Sequence, residues 1–164
     1  MFNEPLNRPL YVPRDYFDSN FDKIDKNRDG KINDEEATGY ITDHGYKVAD
    51  SPNLPNISFD EIGFKAADFL VVGIAVAKEM GGGCQVNAGT DWGVGHTGEN
   101  SRHYFGDAID FQSYGRTWAV NFREKFKAKL KEMGYEKITY NPSEAKPGVV
   151  LILIEQGHVH VGGH

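Results

Sequence analysis

Ser101-Arg102-His103-Tyr104-Phe105-Gly106-Asp107-Ala108-Ile109-Asp110 is the stretch on which the reading of this chain turns. It sets a histidine and an aspartate seven residues apart, with the small residues Gly106 and Ala108 between them. Small side chains there let the backbone pass close to a metal ion, and an extended conformation puts Ala108 and Asp110 on one face. A third ligand is expected near the C-terminus, in Glu155-Gln156-Gly157-His158-Val159-His160. His158 and His160 alternate there as on a strand, and Gln156-Gly157 is placed to kink the chain and turn Glu155 toward the same space. Two imidazole nitrogens and one carboxylate oxygen around an open fourth position suit catalytic zinc.

The pattern Ser-x-His-x-x-Gly-x-Ala-x-Asp, followed late in the chain by an acid three residues before a histidine, resembles the LAS metallopeptidases. That group includes D-alanyl-D-alanine carboxypeptidases, vancomycin-resistance D,D-dipeptidases and phage L-alanyl-D-glutamate endolysins, and shares a fold with hedgehog signalling domains. The resemblance spans residues 62–164, and the ending Glu-x-Gly-His-Val looks closest to the endolysins. It implies that His103, Asp110 and His158 bind zinc, that Glu155 is the general base, and that the substrate is the stem peptide of peptidoglycan. His160 is then either a substrate-orienting residue or itself the ligand, as in hedgehog-type His-x-His segments. Enzymes of the group also carry an arginine upstream of the first motif that steadies substrate and oxyanion. The corresponding stretch here, Gln85 to Asp91, has none, so Arg102 or another donor, with Ser101 beside it, is expected on the substrate. The rival expectation is a non-catalytic, zinc-stabilised cell-wall-binding or phage structural module.

A second motif lies upstream. Asp25-Lys26-Asn27-Arg28-Asp29-Gly30-Lys31-Ile32-Asn33-Asp34-Glu35-Glu36 matches the twelve-residue EF-hand loop at each defining position. Asp25, Asn27 and Asp29 supply side-chain oxygens, Lys31 its carbonyl, Asn33 an oxygen directly or through water, and Glu36 two oxygens, with Gly30 at the sharp turn; the cation implied is calcium. EF-hands pair, and residues 50–61 are again twelve long, with Ile57 in register with Ile32 and Glu61 with Glu36. That second loop lacks the oxygen ligands and is expected to support the first without binding metal. Ser58 and Glu61 read as a capping box opening a long helix to about Met80, closed by Gly81-Gly82-Gly83. Shared by both modules, that helix would let calcium be felt at the zinc site.

Trp118, Phe122, Phe126 and Leu130 recur every four residues, the stripe of a core-facing helix ended near Gly134. Val149 to Ile154 reads as a buried strand. The expected fold is therefore α+β: a small antiparallel sheet with packed helices carrying the zinc site (residues 62–164), fused to an N-terminal arm and helical EF-hand module (residues 1–61). With 164 residues, 39% hydrophobic, one such core is affordable in size and the chain should be globular and soluble. A formal net charge of -6 gives no positive field for nucleic acid. The apolar run from Phe64 to Met80 is broken by Lys65, Asp68 and Lys78, so no membrane span is expected. Residues 1–16 lack the apolar stretch of a secretory signal, which fits synthesis in the cytoplasm and action at the cell wall after release or delivery, as a monomer. The lone Cys84 reads as a buried small residue, His44 as an ordinary helix-end histidine, and His96 as a loop residue near the cleft.

Overall fold

The computed structural model describes residues 20–49, 59, 61–88 and 107–163. The first described elements are two short helices, α1 (Asn20–Ile24) and α2 (Asp34–Asp43), followed by strand β1 (Lys47–Val48) and the long helix α3 (Phe64–Met80). Strands β2 (Gln85–Ala88) and β3 (Ala108–Gln112) lead to helix α4 (Arg116–Glu132), and β4 (Ile138–Thr139), β5 (Val150–Glu155) and β6 (His158–Gly163) complete the described elements. The described residues form a mixed α+β architecture, with six strands in the order β1-β2-β3-β6-β5-β4.

The four central strands β2, β3, β6 and β5 are antiparallel, as expected, but the sheet is not antiparallel throughout. Both edge strands, β1 on β2 and β4 on β5, run parallel to their neighbours. The reason is connectivity: each edge strand reaches its neighbour through a crossover, β1 by way of α3 and β4 by way of the 3-10 turn at Pro142–Glu144, and only hairpins require reversal. β1 also means that the chain on the N-terminal side of residue 61 contributes a strand to the sheet that carries the C-terminal motifs.

Alternation sorts the sheet into two faces. Val86, Ile109, Phe111, Ile152, Val159 and Val161 are buried on the face covered by α3 and α4. On α4 the stripe read from sequence points inward: Phe122, Phe126 and Leu130 are fully buried, with Trp118 stacked on Phe122 at 4.7 Å between ring centroids. Phe111 sits at the centre, 5.3 Å from Phe122 and 5.9 Å from Phe126. Each such fully buried side chain contributes about 1.5–3 kcal/mol. α3 approaches β3 closely because residue 73 is glycine: a Cβ there would lie 2.2 Å from Phe111 Cζ.

α3 starts later than the Ser58/Glu61 capping box implied. Its first residue is Phe64 and its N-cap is Gly63, which makes no side-chain cap bond. Ser58 lies outside the described residues, while Glu61 has a positive φ of 59° and cannot be in a first helical turn. Its N–H is engaged elsewhere, donating to Ile32 O at 2.7 Å, and the Phe59 N–H donates to the Asp34 carboxylate. Bonding to the Asp25–Glu36 loop thus overrides the local capping signal. The C-terminal end matches the expectation, with Met80 last and Gly81 at φ 70°.

One buried carboxylate ties the N-terminal helices to the rest. Asp68 on α3 is 2% exposed, and its oxygens accept from Asn20 Nδ2 at 2.8 Å and from the Tyr135 hydroxyl. A buried charge is tolerable only with such donors. Phe21 stacks on Phe64 at 4.8 Å beside it. None of the described helices is long and apolar enough to cross a membrane.

Candidate functional site

The C-terminal motif is a hairpin. Gln156 and Gly157, the latter at φ 83°, form the turn between β5 and β6 and set Glu155 directly opposite His158. The kink expected from Gln156-Gly157 is therefore a full reversal, and it brings the acid back over the histidine: His158 Nε2 lies 3.1 Å from Glu155 Oε1. β3 pairs with the other side of β6, with Asp110 opposite His160 and Gln112 opposite His158. Cross-strand partners project to the same side, so Asp110, Gln112, His158, His160 and Glu155 share the face away from α3 and α4.

Asp110 is the centre of this group. It is 8% exposed; Oδ1 is 2.8 Å from His160 Nδ1 and Oδ2 is 3.8 Å from His158 Nε2. Two donors on one tetrahedral zinc, each about 2.0–2.1 Å from it, lie roughly 3.3 Å apart; the Asp110–His158 separation is wider than that, and the Asp110–His160 separation is that of a hydrogen bond. The donor set, imidazole nitrogen with carboxylate oxygen, fits zinc in chemistry. Of the two histidines, His160 holds the Asp110 carboxylate more tightly and His158 is the one that meets Glu155. His103, Ser101, Arg102 and His96 lie outside the described residues.

Beside this group runs a chain of side-chain amides that the sequence reading did not single out. Gln85 Nε2 donates to Asn87 Oδ1 at 2.9 Å, and Asn87 Nδ2 donates to Gln112 Oε1 at 3.0 Å. Strand parity is the signal that would have found it: Gln85 and Asn87 share a face on β2, and Gln112 lies two residues beyond Asp110.

The Asp25–Glu36 loop lies between α1 and α2. Carboxylate oxygens of Asp25, Asp29 and Glu36 fall within 4.8 Å of one another, the one such three-residue group among the described residues. Gly30, at φ 87°, makes the turn and donates its N–H to Asp25 Oδ2 at 2.9 Å. Asn33 caps α2 in a reciprocal box with Glu36: Glu36 N–H donates to Asn33 Oδ1 at 2.8 Å, and Asn33 N–H to Glu36 Oε1 at 3.1 Å. The Asn27 N–H donates to the other Glu36 oxygen at 3.2 Å, and the Lys31 N–H to Asp29 Oδ1 at 2.9 Å. Burial raises the Asp25 pKa, with Asp29 and Glu36 adding to the rise, whereas the Lys31 N–H lowers that of Asp29. Such a cluster could hold a metal ion. Of the second loop, residues 50–58 and 60 lie outside the described residues; the contact with Ile32 comes from Glu61, which also pairs with Lys31 Nζ at 3.4 Å.

Cys84 is buried, and burial pushes its thiol up to about 12, so it is neither nucleophile nor thiolate ligand at neutral pH. His44 caps α2, its Nδ1 lying 2.7 Å from Tyr40 O, the helix-end role expected of it. Comparison with protein-family models, with curated proteins and with solved structures finds no match for this chain.

Proposed function

We propose that the chain is a zinc-dependent peptidase of the LAS type that hydrolyses an amide bond in the peptide stem of peptidoglycan. The observation that carries this is the convergence of Asp110, Glu155, His158 and His160 on one sheet face, from three adjacent strands. Asp110 and His158, with His103, would hold the zinc, and His160 would fix the Asp110 carboxylate through Nδ1 or take the ligand position itself. Zinc, when bound, acidifies water and polarises the substrate carbonyl. Glu155 sits at the exposed end of β5, where its Oε1 can accept the proton of an attacking water and return it to the leaving amine. Work on this substrate would take place at the cell wall, reached after release or delivery. The rival reading, a zinc-stabilised binding module, draws support from the absence of lysine and arginine in β2, β3, β5 and β6, which leaves no cation on these strands to steady an oxyanion.

A digest of purified peptidoglycan with zinc-loaded protein, read by mass spectrometry, separates the two. New amino termini or released D-alanine are expected; intact stems from protein that demonstrably holds zinc would favour the binding module.

We further propose that the helix–loop–helix is an EF-hand whose cation is calcium, held by Asp25, Asn27, Asp29, Lys31 O, Asn33 and Glu36. Calcium should raise the thermal midpoint, and Glu36→Gln should remove that rise. The loop is bonded to residues 59 and 61, immediately ahead of α3, and α3 packs on Phe111 next to Asp110. Hydrolysis is accordingly expected to slow in a calcium chelator that spares zinc. Equal rates and equal midpoints in both conditions would remove any role for calcium.

A further inference from the structure

We propose that the amide chain Gln85–Asn87–Gln112 is the substrate-positioning surface of this site, and that it selects an uncharged internal peptide segment over a free C-terminal carboxylate. The inference rests on the peptidase reading for the identity of the substrate, but its physical basis is separate.

Gln112, His158 and Glu155 are consecutive cross-strand partners on β3, β6 and β5. Neighbouring strands are about 4.8 Å apart, so the row extends about 10 Å, the length of roughly three extended residues. The row lies at the hairpin end of the sheet, where the Ser113 N–H donates to Gly157 O at 3.1 Å and fixes β3 against the turn. A substrate whose scissile carbonyl lies over His158 and Asp110, with Glu155 on one side, therefore meets Gln112 and Asn87 on the other.

The chemistry of that side is neutral. A primary amide offers both N–H donors and a carbonyl acceptor, the complement of a peptide group. Gln85 donates to Asn87, Asn87 donates to Gln112 and Gln112 donates to Ser113 O, so the row is held in place before substrate arrives, with the second hydrogen of each NH2 group and the second lone pair of each oxygen left for a substrate. A carboxylate placed there would lose water without gaining a cationic side chain from these strands, since β2, β3, β5 and β6 contain no lysine or arginine. It would also approach Asp110 and Glu155. Among the described residues of the sheet face, Lys47 is the nearest cation in strand order, opposite Gln85 on the edge strand and two strands from β3. The geometry thus favours an endopeptidase over a carboxypeptidase.

The probes are an N-acetylated stem tetrapeptide with a C-terminal carboxamide and the same peptide as the free acid. Binding is measured by calorimetry on the full zinc-loaded chain carrying Glu155→Gln, and cleavage by mass spectrometry on the unsubstituted chain. The carboxamide is expected to bind more tightly than the acid. Gln112→Glu keeps an acceptor for Asn87 Nδ2 but replaces the Nε2 donor, one hydrogen of which goes to Ser113 O at 3.4 Å, by an anion, and should weaken carboxamide binding about tenfold or more, with zinc content unchanged. Asn87→Leu, a second variant on a different strand, should weaken it in the same way. If the carboxamide binds and responds to Gln112 while no bond is cut, the positioning surface stands and the peptidase reading falls. If D-alanine is released from the free acid with no internal cleavage, the peptidase stands and this proposal falls. Equal or tighter binding of the acid, no response to either variant, or no binding of either peptide also overturns it.

Discussion

Replacing Glu155 by glutamine is expected to slow stem-peptide hydrolysis about 10²–10⁴-fold, the usual contribution of a positioned general base, while zinc content and thermal midpoint stay close to those of the parent. The amide has the size and shape of the acid and can occupy the same place beside His158, whose Nε2 lies 3.1 Å from Glu155 Oε1. It cannot take up a proton. Because Glu155 is exposed at the end of β5, little packing depends on it. Single-turnover rates and zinc analysis of the same preparation make the check. A variant that retains zinc and full turnover would remove Glu155 from the chemistry; parent and variant that bind stem peptide alike without cutting it would point to the binding module.

The second large effect is structural. Gly73 lies in the middle of α3, where alanine would ordinarily gain about 1 kcal/mol in helix propensity. The Cβ, however, would sit 2.2 Å from Cζ and 2.4 Å from Cε1 of Phe111, a ring fully buried between Phe122 and Phe126. That ring has nowhere to go without moving β3 or α4. Overpacking of this kind costs about 1–3 kcal/mol net, and leucine at the same position should cost more. Gly73→Ala is therefore expected to lower the thermal midpoint by about 3–10 °C for a chain of this size. The double variant Gly73→Ala/Phe111→Leu should recover part of the loss, since the shorter side chain yields the space. An unchanged or raised midpoint for Gly73→Ala would mean that α3 and β3 are not in this contact.

Much of the fold was legible because it depends on local periodicity. The four-residue stripe from Trp118 to Leu130 became α4, the β-branched run from Val149 became β5, and the three glycines after Met80 ended α3. Fixed spacing likewise announced the Asp25–Glu36 loop, since its donors are consecutive in the chain and their geometry is set by one turn at Gly30. The capping box at Ser58 and Glu61 misled because a local hydrogen-bond signal competes with partners distant in sequence. Ile32 O and the Asp34 carboxylate, some 25 residues or more upstream, took the N–H groups of Glu61 and Phe59 instead.

The sequence by itself determined which residue types are present and in what order: a histidine at 103, an aspartate at 110, a glutamate at 155 and histidines at 158 and 160. Tertiary structure decided what those residues do to one another. The register of β3 on β6 puts Asp110 opposite His160 and Gln112 opposite His158, and the β5–β6 turn returns Glu155 to His158. Register is not written in local propensity, because a shift of one residue would satisfy every strand preference while sending each side chain to the other face. What fixes it is the apolar face, where Phe111, Val159, Val161 and Ile152 must meet α3 and α4, so the polar face that carries the site is positioned by the packing of its opposite side.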